Sequence, residues 1–303
     1  MKKINNHFPS IMLYSGLCLL LFVSTCVNRL MAQDTTATAK AKIEPVKNTF
    51  GDIMLIDNPT VMVPRKNTFE FAIQHRFGIV NNGYKDFYGL FAPANMRLGF
   101  YYVPANNLMV GFGLCKERMI WDGDVSYAIM RQSKKGSWPV SITYYGNVAV
   151  DSRDKENFVS TADRFSYFNQ LMVARKITEK FSAQASVSLS YFNNVEGYYD
   201  AEGNISPKMH NEHLAMSFLG RYKLTETLAV IVDYDQPLTQ HPMNNPHPNI
   251  AFGLDIGTSS HSFQIFAGNF SYITPQVNNM YNQIDYTKGQ FLIGFNITRN
   301  WNF

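Results

Sequence analysis

The sequence predicts an all-β protein, a transmembrane antiparallel up-and-down β-barrel of about twelve strands. Three observations lead to this prediction. Segments with one apolar face and one small or polar face recur along the chain, because successive side chains of a strand point to opposite sides. The connections between these segments alternate between long and short. The last segment, 289–303, has aromatic residues at both ends of its apolar row and finishes on Phe303, as in barrels with aromatic girdles.

The first segment, 1–32, is predicted to be a secretory signal peptide. A basic start precedes an apolar run over 11–23, and Ala32 provides a small residue for cleavage. The run is too short to span a bilayer as a stable helix. A lipoprotein box at Cys26 is the alternative, but the Thr before this cysteine matches such a box poorly.

The second segment, 33–66, is predicted to be a periplasmic N-terminal extension. Residues 35–42 have low complexity, which indicates a flexible tether. Residues 50–63 are more apolar and contain Pro59. This part would either enter the lumen as a small plug or rest under the barrel, and the sequence leaves both alternatives open.

The barrel itself is predicted to occupy 67–303. The clearest alternation of apolar and polar residues marks strands at 69–78, 181–191, 228–235 and 249–257. The other predicted strands are 96–103, 108–115, 124–130, 139–150, 165–177, 212–223, 261–269 and 290–301.

One strand, 165–177, departs from simple alternation. Asn169 and Arg175 share the parity of Leu171 and Val173 on its apolar face. We expect a β-bulge here, since an extra residue changes the face on which the following side chains lie.

The connections predict how the barrel is oriented. The long or polar connections are 79–95, 116–123, 151–164, 193–211, 236–248 and 270–288, and the short ones are 104–107, 131–138, 178–180, 224–227 and 258–260. An even number of strands then places both termini on the side of the short turns, which is periplasmic in bacterial outer-membrane barrels. The predicted location is therefore the bacterial outer membrane, with both termini periplasmic.

Charge and cysteine content exclude several classes of function. Loss of 1–32 removes three basic residues and no acidic one, so the net charge falls from +4 to +1. We therefore expect no nucleic-acid partner. Cys18 and Cys26 leave with the signal peptide, so Cys115 remains alone and can form neither an intrachain disulfide nor a cysteine metal site. No cofactor is predicted.

Eight charged or amide side chains are predicted to line the lumen, because they share the parity of the small and polar residues. They are Glu70, Gln74, Arg76, Arg97, Arg221, Asp233, Asp235 and Asp255. Mixed charges can line an aqueous path and set its selectivity, or they can pair across the lumen and fill it. A bore of about twelve strands is compatible with both alternatives.

The main interpretation is a narrow porin-like channel or binding barrel for a small hydrophilic solute. The alternative is a non-conducting barrel that acts as a docking or assembly partner for periplasmic or surface proteins. Other predicted partners are outer-membrane lipid and the barrel-assembly machinery, which would recognise the C-terminal strand through Phe295, Trp301 and Phe303.

An outer-membrane hydrolase is the minor alternative. Such an enzyme needs a histidine beside a serine at the rim of the long loops. His75 shares the parity of apolar residues, and the pair His261-Ser262 lies at a short turn. We therefore predict that the protein is not an enzyme.

A metal site has weak candidates in two neighbouring long connections. The histidines concerned are His210, His213, His241 and His247, and imidazole is a common ligand of divalent transition metals. Histidines are also ordinary residues of polar loops. We favour this second interpretation and predict no metal site.

Several phrases of the sequence resemble a known family. They are FAIQHRFG (71–78), ANMRLGFYY (94–102), PVSITYYGNVAVDSRD (139–154), RFSYFNQLMVARK (164–176), DYDQPL (233–238), SFQIFAGN (262–269) and GQFLIGFNITRNWNF (289–303). Together they are similar to an uncharacterised outer-membrane β-barrel family of Bacteroidetes-type bacteria that carries a domain-of-unknown-function label. The resemblance runs from about residue 49 to residue 303. It implies a barrel at the outer membrane and implies no activity.

Overall fold

The computed structural model describes residues 44–134, 138–258 and 260–303. The predicted signal peptide and the tether at 35–42 lie outside these residues. Within them, strands β1 (Met54–Leu55) and β2 (Asn58–Pro59) form a small hairpin, and so do β10 (Gly197–Tyr199) and β11 (Ile205–Pro207).

The remaining twelve strands close into one antiparallel barrel, which confirms the predicted fold. Each strand pairs with its neighbours along the chain, and the last strand pairs with the first to close the ring. The strands are β3 (Thr68–Ile79), β4 (Asn95–Ala105), β5 (Leu108–Cys115), β6 (Ile120–Met130), β7 (Ser141–Asp151), β8 (Phe165–Lys176), β9 (Phe181–Phe192), β12 (Glu212–Lys223), β13 (Leu228–Pro237), β14 (Asn249–Gly257), β15 (His261–Gly268) and β16 (Leu292–Asn302).

The two faces of the wall have opposite polarity. On β9 the inward residues Ser186, Ser188 and Ser190 are buried, whereas the outward Val187 is 48% exposed. Trp121 of β6 is likewise 55% exposed. Buried polar residues and exposed apolar residues are the reverse of a water-soluble protein and suit a barrel surrounded by lipid.

The predicted β-bulge at 165–177 is wrong. Strand β8 pairs without interruption with both β7 and β9. Asn169 and Arg175 lie on the outer face beside Leu171 and Val173, and the Tyr144 hydroxyl donates to Asn169 Oδ1 at 2.5 Å. Register irregularities occur instead between Leu292 and Gly294, Tyr102 and Ala105, and Ala128 and Met130.

The connections between strands define two ends of the barrel. We call one the long-loop end, with connections 80–94, 116–119, 152–164, 193–211, 238–248 and 269–291, and the other the short-turn end. The prediction of a long connection over 116–123 is wrong, because β6 begins at Ile120. The chain turns here within a few residues by placing Arg118 and Met119 at positive φ, a region that non-glycine residues seldom adopt.

The last connection, 269–291, folds back into the barrel interior. It contains helix α1 (Pro275–Tyr281), which begins with a proline whose missing N–H does not disturb the first turn. Residues 276–280 of α1 are buried, and the helix contacts β8, β9, β12 and β13. None of the helices in the described ranges combines the length and the apolar character needed to cross a bilayer.

A second piece of chain, which precedes β3 in sequence, enters the interior from the short-turn end. We call residues 50–63 the interior segment; it contains the β1–β2 hairpin. Phe50, Leu55 and Ile56 are at most 1% exposed and pack in one cluster with wall residues such as Phe168 and Phe266. The interior segment therefore packs against inward-facing side chains of the wall.

Candidate functional site

The interior of the barrel holds all eight of the side chains predicted to line the lumen. Seven are buried, and Arg221 is partly buried with 12% of its side chain exposed. The structure also gives most of them specific partners. These partners divide into two groups, one within the wall and one on the interior segment.

The first group, here called the wall cluster, is built around Arg97 of β4. Its guanidinium reaches across β5 to two carboxylates on β6: Arg97 Nη2 lies 2.5 Å from Asp122 Oδ1 and 2.8 Å from Asp124 Oδ2, and Nε lies 2.9 Å from Asp122 Oδ2. This is possible because Gly113 of β5 has no side chain; a Cβ there would collide with the guanidinium. The bidentate geometry makes this a strong charge-assisted contact.

Neighbouring side chains complete the wall cluster. Tyr101 Oη accepts from Arg97 Nη1 at 2.7 Å. The Tyr145 hydroxyl donates to Asp124, and Asn147 Nδ2 donates to the same carboxylate at 2.7 Å. Arg97 Nη1 also donates to Gln74 Oε1 of β3 at 3.2 Å. The buried charges of this cluster are therefore satisfied by wall residues of β3, β4, β6 and β7, as buried charges require.

The two carboxylates of the wall cluster, Asp122 and Asp124, are not among the residues predicted to line the lumen. The sequence predicts a connection at Asp122 and the first residue of a strand at Asp124. The signal that could have identified them is the alternation itself, extended back by two residues. Asp122, Asp124 and Ser126 are buried, in opposition to the exposed Trp121 and Tyr127.

The second group joins the wall to the interior segment, and Asn58 lies at its centre. Asn58 Nδ2 donates to Asp233 Oδ1 at 2.9 Å and to Asp235 Oδ1 at 2.8 Å. The backbone N–H of Asp57 donates to Asp233 Oδ2 at 3.2 Å. The two wall carboxylates of β13 thus hold the tip of the β1–β2 hairpin.

Arg76 of β3 binds the same tip from another side. Its Nη2 donates to the Ile56 carbonyl at 3.1 Å and lies 3.6 Å from Asp57 Oδ1. Asn296 of β16 donates to the same carbonyl at 2.7 Å and accepts from Arg76 Nη1 at 3.0 Å. The guanidinium also packs over the Phe266 ring at 4.6 Å.

Two wall glutamines bind the backbone of the interior segment. Gln264 Oε1 accepts from the Ile56 N–H at 2.8 Å, and its Nε2 donates to the Met54 carbonyl at 3.0 Å. Gln184 does the same on the other hairpin strand, accepting from Val61 N–H at 3.0 Å and donating to the Pro59 carbonyl at 2.8 Å. Each amide supplies one donor and one acceptor, so a short strand with no further neighbours keeps its backbone paired.

Two carboxylates of the interior segment have altered acidity. Burial raises the pKa of Asp52, although the hydrogen bond from the Thr298 hydroxyl opposes the rise. Burial also raises the pKa of Asp57 to about 7, with Arg76 opposing the change and Asp235 adding to it. Both groups therefore retain a proton more readily inside the barrel than in water.

Helix α1 and the interior segment meet inside the barrel. Asn278 Nδ2 of α1 donates to the Asp57 carboxylate. On the wall side, Gln276 Nε2 donates to Asn147 Oδ1 at 2.9 Å, and Asn279 Nδ2 donates to Ser188 Oγ at 3.3 Å. The two pieces, which enter the barrel from opposite ends, are thus in direct contact in its interior.

The four histidines considered as metal ligands do not form one site. His213 Nδ1 and His241 Nε2 share a hydrogen bond of 2.9 Å, and His241 Nδ1 accepts from the His210 backbone N–H at 3.0 Å. Both ring nitrogens of His241 are thus engaged, and burial lowers its pKa. His247 lies apart, 4.0 Å from Asp285. No group of three or more potential metal ligands occurs in the described ranges 44–134, 138–258 and 260–303.

The remaining candidates lie on the outer face or at the short-turn end. His75 stacks on Phe295 with ring centroids 5.0 Å apart. His261 Nδ1 lies 3.1 Å from Ser260 Oγ in the β14–β15 turn. At the end of the chain, Trp301 packs 5.6 Å from Phe69, and Phe303 is 81% exposed. Recognition of Phe295, Trp301 and Phe303 by an assembly machinery stays a prediction.

The chain is similar to several solved barrels at low sequence identity. The NanC porin matches at 9% identity over 76% of this chain and 98% of its own, with a TM-score of 0.46. The KdgM porin in complex with disordered oligogalacturonate matches at 9% identity over 78% and 99%, with a TM-score of 0.47. The toluene transporter TodX of Pseudomonas putida matches at 9% identity over 80% and 91%, with a TM-score of 0.40.

Among curated proteins there is no match to this sequence. A family model does match: the membrane-bound β-barrel domain DUF5777, over residues 50–301. This match begins at the first residue of the interior segment and ends in β16, so the segment is part of the domain that the family shares. The resemblance found in the sequence is thereby confirmed, and the chain belongs to the DUF5777 family of membrane-bound β-barrel domains.

Proposed function

We propose that this protein is a porin-like channel or binding barrel of the bacterial outer membrane for a small hydrophilic solute, closed at rest by its own N-terminal segment. In this proposal the short-turn end faces the periplasm, together with both termini, and the long-loop end faces the exterior. The interior segment acts as a plug that must move before solute passes.

The observation that carries the proposal is that the barrel wall is complete without the plug. All twelve wall strands are hydrogen-bonded to one another in a closed ring. The inner face of β9 is a column of Ser182, Gln184, Ser186, Ser188 and Ser190. Such a column packs poorly as a permanent core but is well suited to contact with water, as in water-filled barrels.

The plug is held by bonds that water can replace. Gln184, Gln264 and Asn296 bind its backbone through side-chain amides, and these groups can bind water equally well when the plug leaves. Apolar burial opposes release, since Phe50 and Leu55 are each 1% exposed. The plug therefore stays docked until a trigger weakens it.

Single-channel conductance in a planar bilayer tests the proposal. The mature chain, 33–303, is compared with a variant that lacks residues 33–66. We expect rare or no conductance steps from the full chain and reproducible steps from the shortened chain. Silence from both, with folding shown by heat-modifiable mobility in gels, would contradict a channel.

A disulfide between plug and wall provides a reversible version of this test. The side chains of Asp52 and Thr298 are in hydrogen-bond contact, so cysteines at both positions should be able to pair. The variant is made in a Cys115→Ser background, which removes the buried free thiol. Oxidation should abolish any openings of the full chain, and reduction should restore them. Openings that continue at the same frequency after oxidation would mean that the segment is not the gate.

A non-conducting docking barrel is the second candidate function. It is favoured by exposed aromatic residues in the connection 80–94, where Tyr84 is 81% and Phe91 is 82% exposed. Exposed aromatic groups of this kind are typical of protein interfaces. The conductance test separates the two functions, because a docking barrel stays silent with and without residues 33–66.

A further inference from the structure

A cavity at the long-loop end has no part in the plug or the wall cluster. It has a volume of about 270 Å³ and lies between the connections 116–119, 152–164 and 193–211 and helix α1. Three arginines line it: Arg118, Arg153 and Arg164. The aromatic rings of Phe158 and Tyr281 lie in the same lining.

The carboxylates of this lining are already engaged. Asp151 forms a bidentate pair with Arg153, with Nη2–Oδ2 at 2.6 Å and Nε–Oδ1 at 2.9 Å. Asp163 Oδ2 accepts from the Ser160 backbone N–H at 2.7 Å. Glu196 lies 3.0 Å from Lys208 Nζ. Asp151 and Glu196 thus have cationic partners and Asp163 has a backbone partner, and none of the three pairs with Arg118 or Arg164.

Arg118 and Arg164 have no carboxylate partner among the residues that the structure describes. Arg164 Nη1 donates to the backbone carbonyls of Asp151 and Arg153 at 2.8 and 2.7 Å, and its guanidinium packs over the Phe158 ring with Cζ 4.4 Å from the centroid. Arg118 packs over the Tyr281 ring with Cζ 4.6 Å from the centroid. Both guanidiniums are thus positioned without being neutralised.

We propose that this cavity binds a small organic anion, a single ring that carries a carboxylate. A carboxylate matches the planar donor fork of a guanidinium, which binds it through two parallel hydrogen bonds. The rings of Phe158 and Tyr281 each carry one of these guanidiniums on one face, so the carboxylate-binding groups lie directly beside aromatic carbon that can contact the body of the ligand. A volume of about 270 Å³ admits one ring and excludes a polymer.

The position of the cavity connects it with the closed lumen. Val277 and Tyr281 of α1 line the cavity, while Asn278 of the same helix donates to Asp57 of the interior segment. A bound anion therefore contacts the element that closes the lumen from the long-loop end. The inference rests on the proposed function in one respect, namely that this anion is the solute that the barrel admits.

Isothermal titration calorimetry on the detergent-solubilised mature chain tests the site. The probes are glucuronate, its uncharged counterpart glucose, and acetate, which has the carboxylate without the ring. We expect glucuronate to bind more tightly than either. Glucose binding equal to glucuronate would overturn the assignment of an anion, and acetate binding equal to glucuronate would overturn that of a ring.

Variants locate the binding in this cavity. Arg118→Gln should weaken glucuronate binding by about tenfold, the usual effect of losing one charged hydrogen-bond partner. Arg118→Lys should restore part of the loss. Lys85→Gln is the matched control, because Lys85 is an exposed base in the connection 80–94, outside the cavity lining, and it should bind as the unmodified chain does. An unchanged affinity in Arg118→Gln would overturn the site.

The calorimetric result and the conductance result are independent. Tight glucuronate binding with silent bilayers would contradict the channel and leave the anion site standing. Conductance in the shortened chain without glucuronate binding to the mature chain would overturn the anion site and leave the channel standing.

Discussion

The two sides of the barrel interior differ in where their charged residues find partners. On the side of β4 to β7, Arg97 pairs with Asp122 and Asp124, and every partner belongs to the wall. On the side of β3 and β13, Arg76 and the carboxylates of Asp233 and Asp235 bind the interior segment. The first arrangement belongs to the barrel, and the second exists only while the segment is docked.

Under the proposed function, this difference allows one interior to be both rigid and able to open. Buried ion pairs need all their partners, since removal of one leaves an uncompensated charge in a medium of low polarity. The wall cluster meets that requirement permanently. The segment-binding side meets it with polar groups from a detachable piece of chain, and water can take their place when the piece leaves.

Replacing the central arginine on each side should give the largest difference in stability between the two sides. Arg97→Met leaves Asp122 and Asp124 without their cation, which should lower the free energy of unfolding by about 3–5 kcal/mol. The loss should be the same with and without residues 33–66, because no partner of Arg97 lies on the interior segment. Urea titration of the protein in lipid vesicles measures both values.

The matched variant Arg76→Met should behave differently. In the full chain it removes contacts to Ile56 and Asp57 and should loosen the plug, seen as more frequent openings in bilayers. In the chain without 33–66 those contacts are already gone, so its effect on unfolding should be small. A loss as large as that of Arg97→Met in the shortened chain would contradict the distinction between the two sides.

Adding a single methyl group at Gly113 should destabilise the wall cluster less than Arg97→Met does. In Gly113→Ala the new Cβ meets the Arg97 guanidinium, and overpacking of this kind costs about 1–3 kcal/mol of unfolding free energy. Gly123→Ala on the neighbouring strand is the control, because nothing lies within 4 Å of a Cβ at that position. Equal stability of the two variants would mean that the close approach of Arg97 to β5 is not required.

The smallest expected effect is a dependence of plug docking on pH. The docked state raises the pKa of Asp57 from 3.8 to about 7, so it binds a proton more tightly than the released state. Protonation of Asp57 therefore favours docking. Its contribution to the stability of the docked state is complete below a pH of about 3.8 and is lost as the pH rises through about 7. Openings of the full chain should become more frequent between pH ~5 and pH ~8.

The variant Asp57→Asn should reduce this dependence. It keeps the size of the side chain beside Arg76, Asp233, Asp235 and Asn278 but has no proton to lose. Part of the dependence should remain, since burial raises the pKa of Asp52 in the same direction. Fewer openings of the unmodified chain at higher pH would contradict the assigned sign.

The regular parts of the fold could be predicted because they depend on a local rule. Alternation with a period of two identified all twelve wall strands and the inward parity of residues such as Arg76 and Asp233. The rule failed where outward residues are polar: Asn169 and Arg175 suggested a bulge, yet they remain on the outer face of a continuous strand. It also failed at 120–123, where Gly123 and Asp122 looked like a loop.

The candidate site could be predicted only as a set of residues. The alternation predicts that Arg97 lines the lumen, but its pairing with Asp122 depends on the absence of a side chain at Gly113 on the strand between them. The cavity at Arg118 draws its lining from separate connections and α1, and no sequence spacing relates these positions.

By itself, the sequence determined that the chain forms a closed wall with an apolar outer face and a polar inner face, because apolar and polar residues alternate along each strand. Only the tertiary structure decided that residues 50–63 and α1 fill the interior and meet at Asp57 and Asn278. The physical reason is that a short hairpin and a short helix have no stable form alone. Their positions are set by wall groups such as Gln184 and Gln264, which are distant in sequence and come together only when the ring closes.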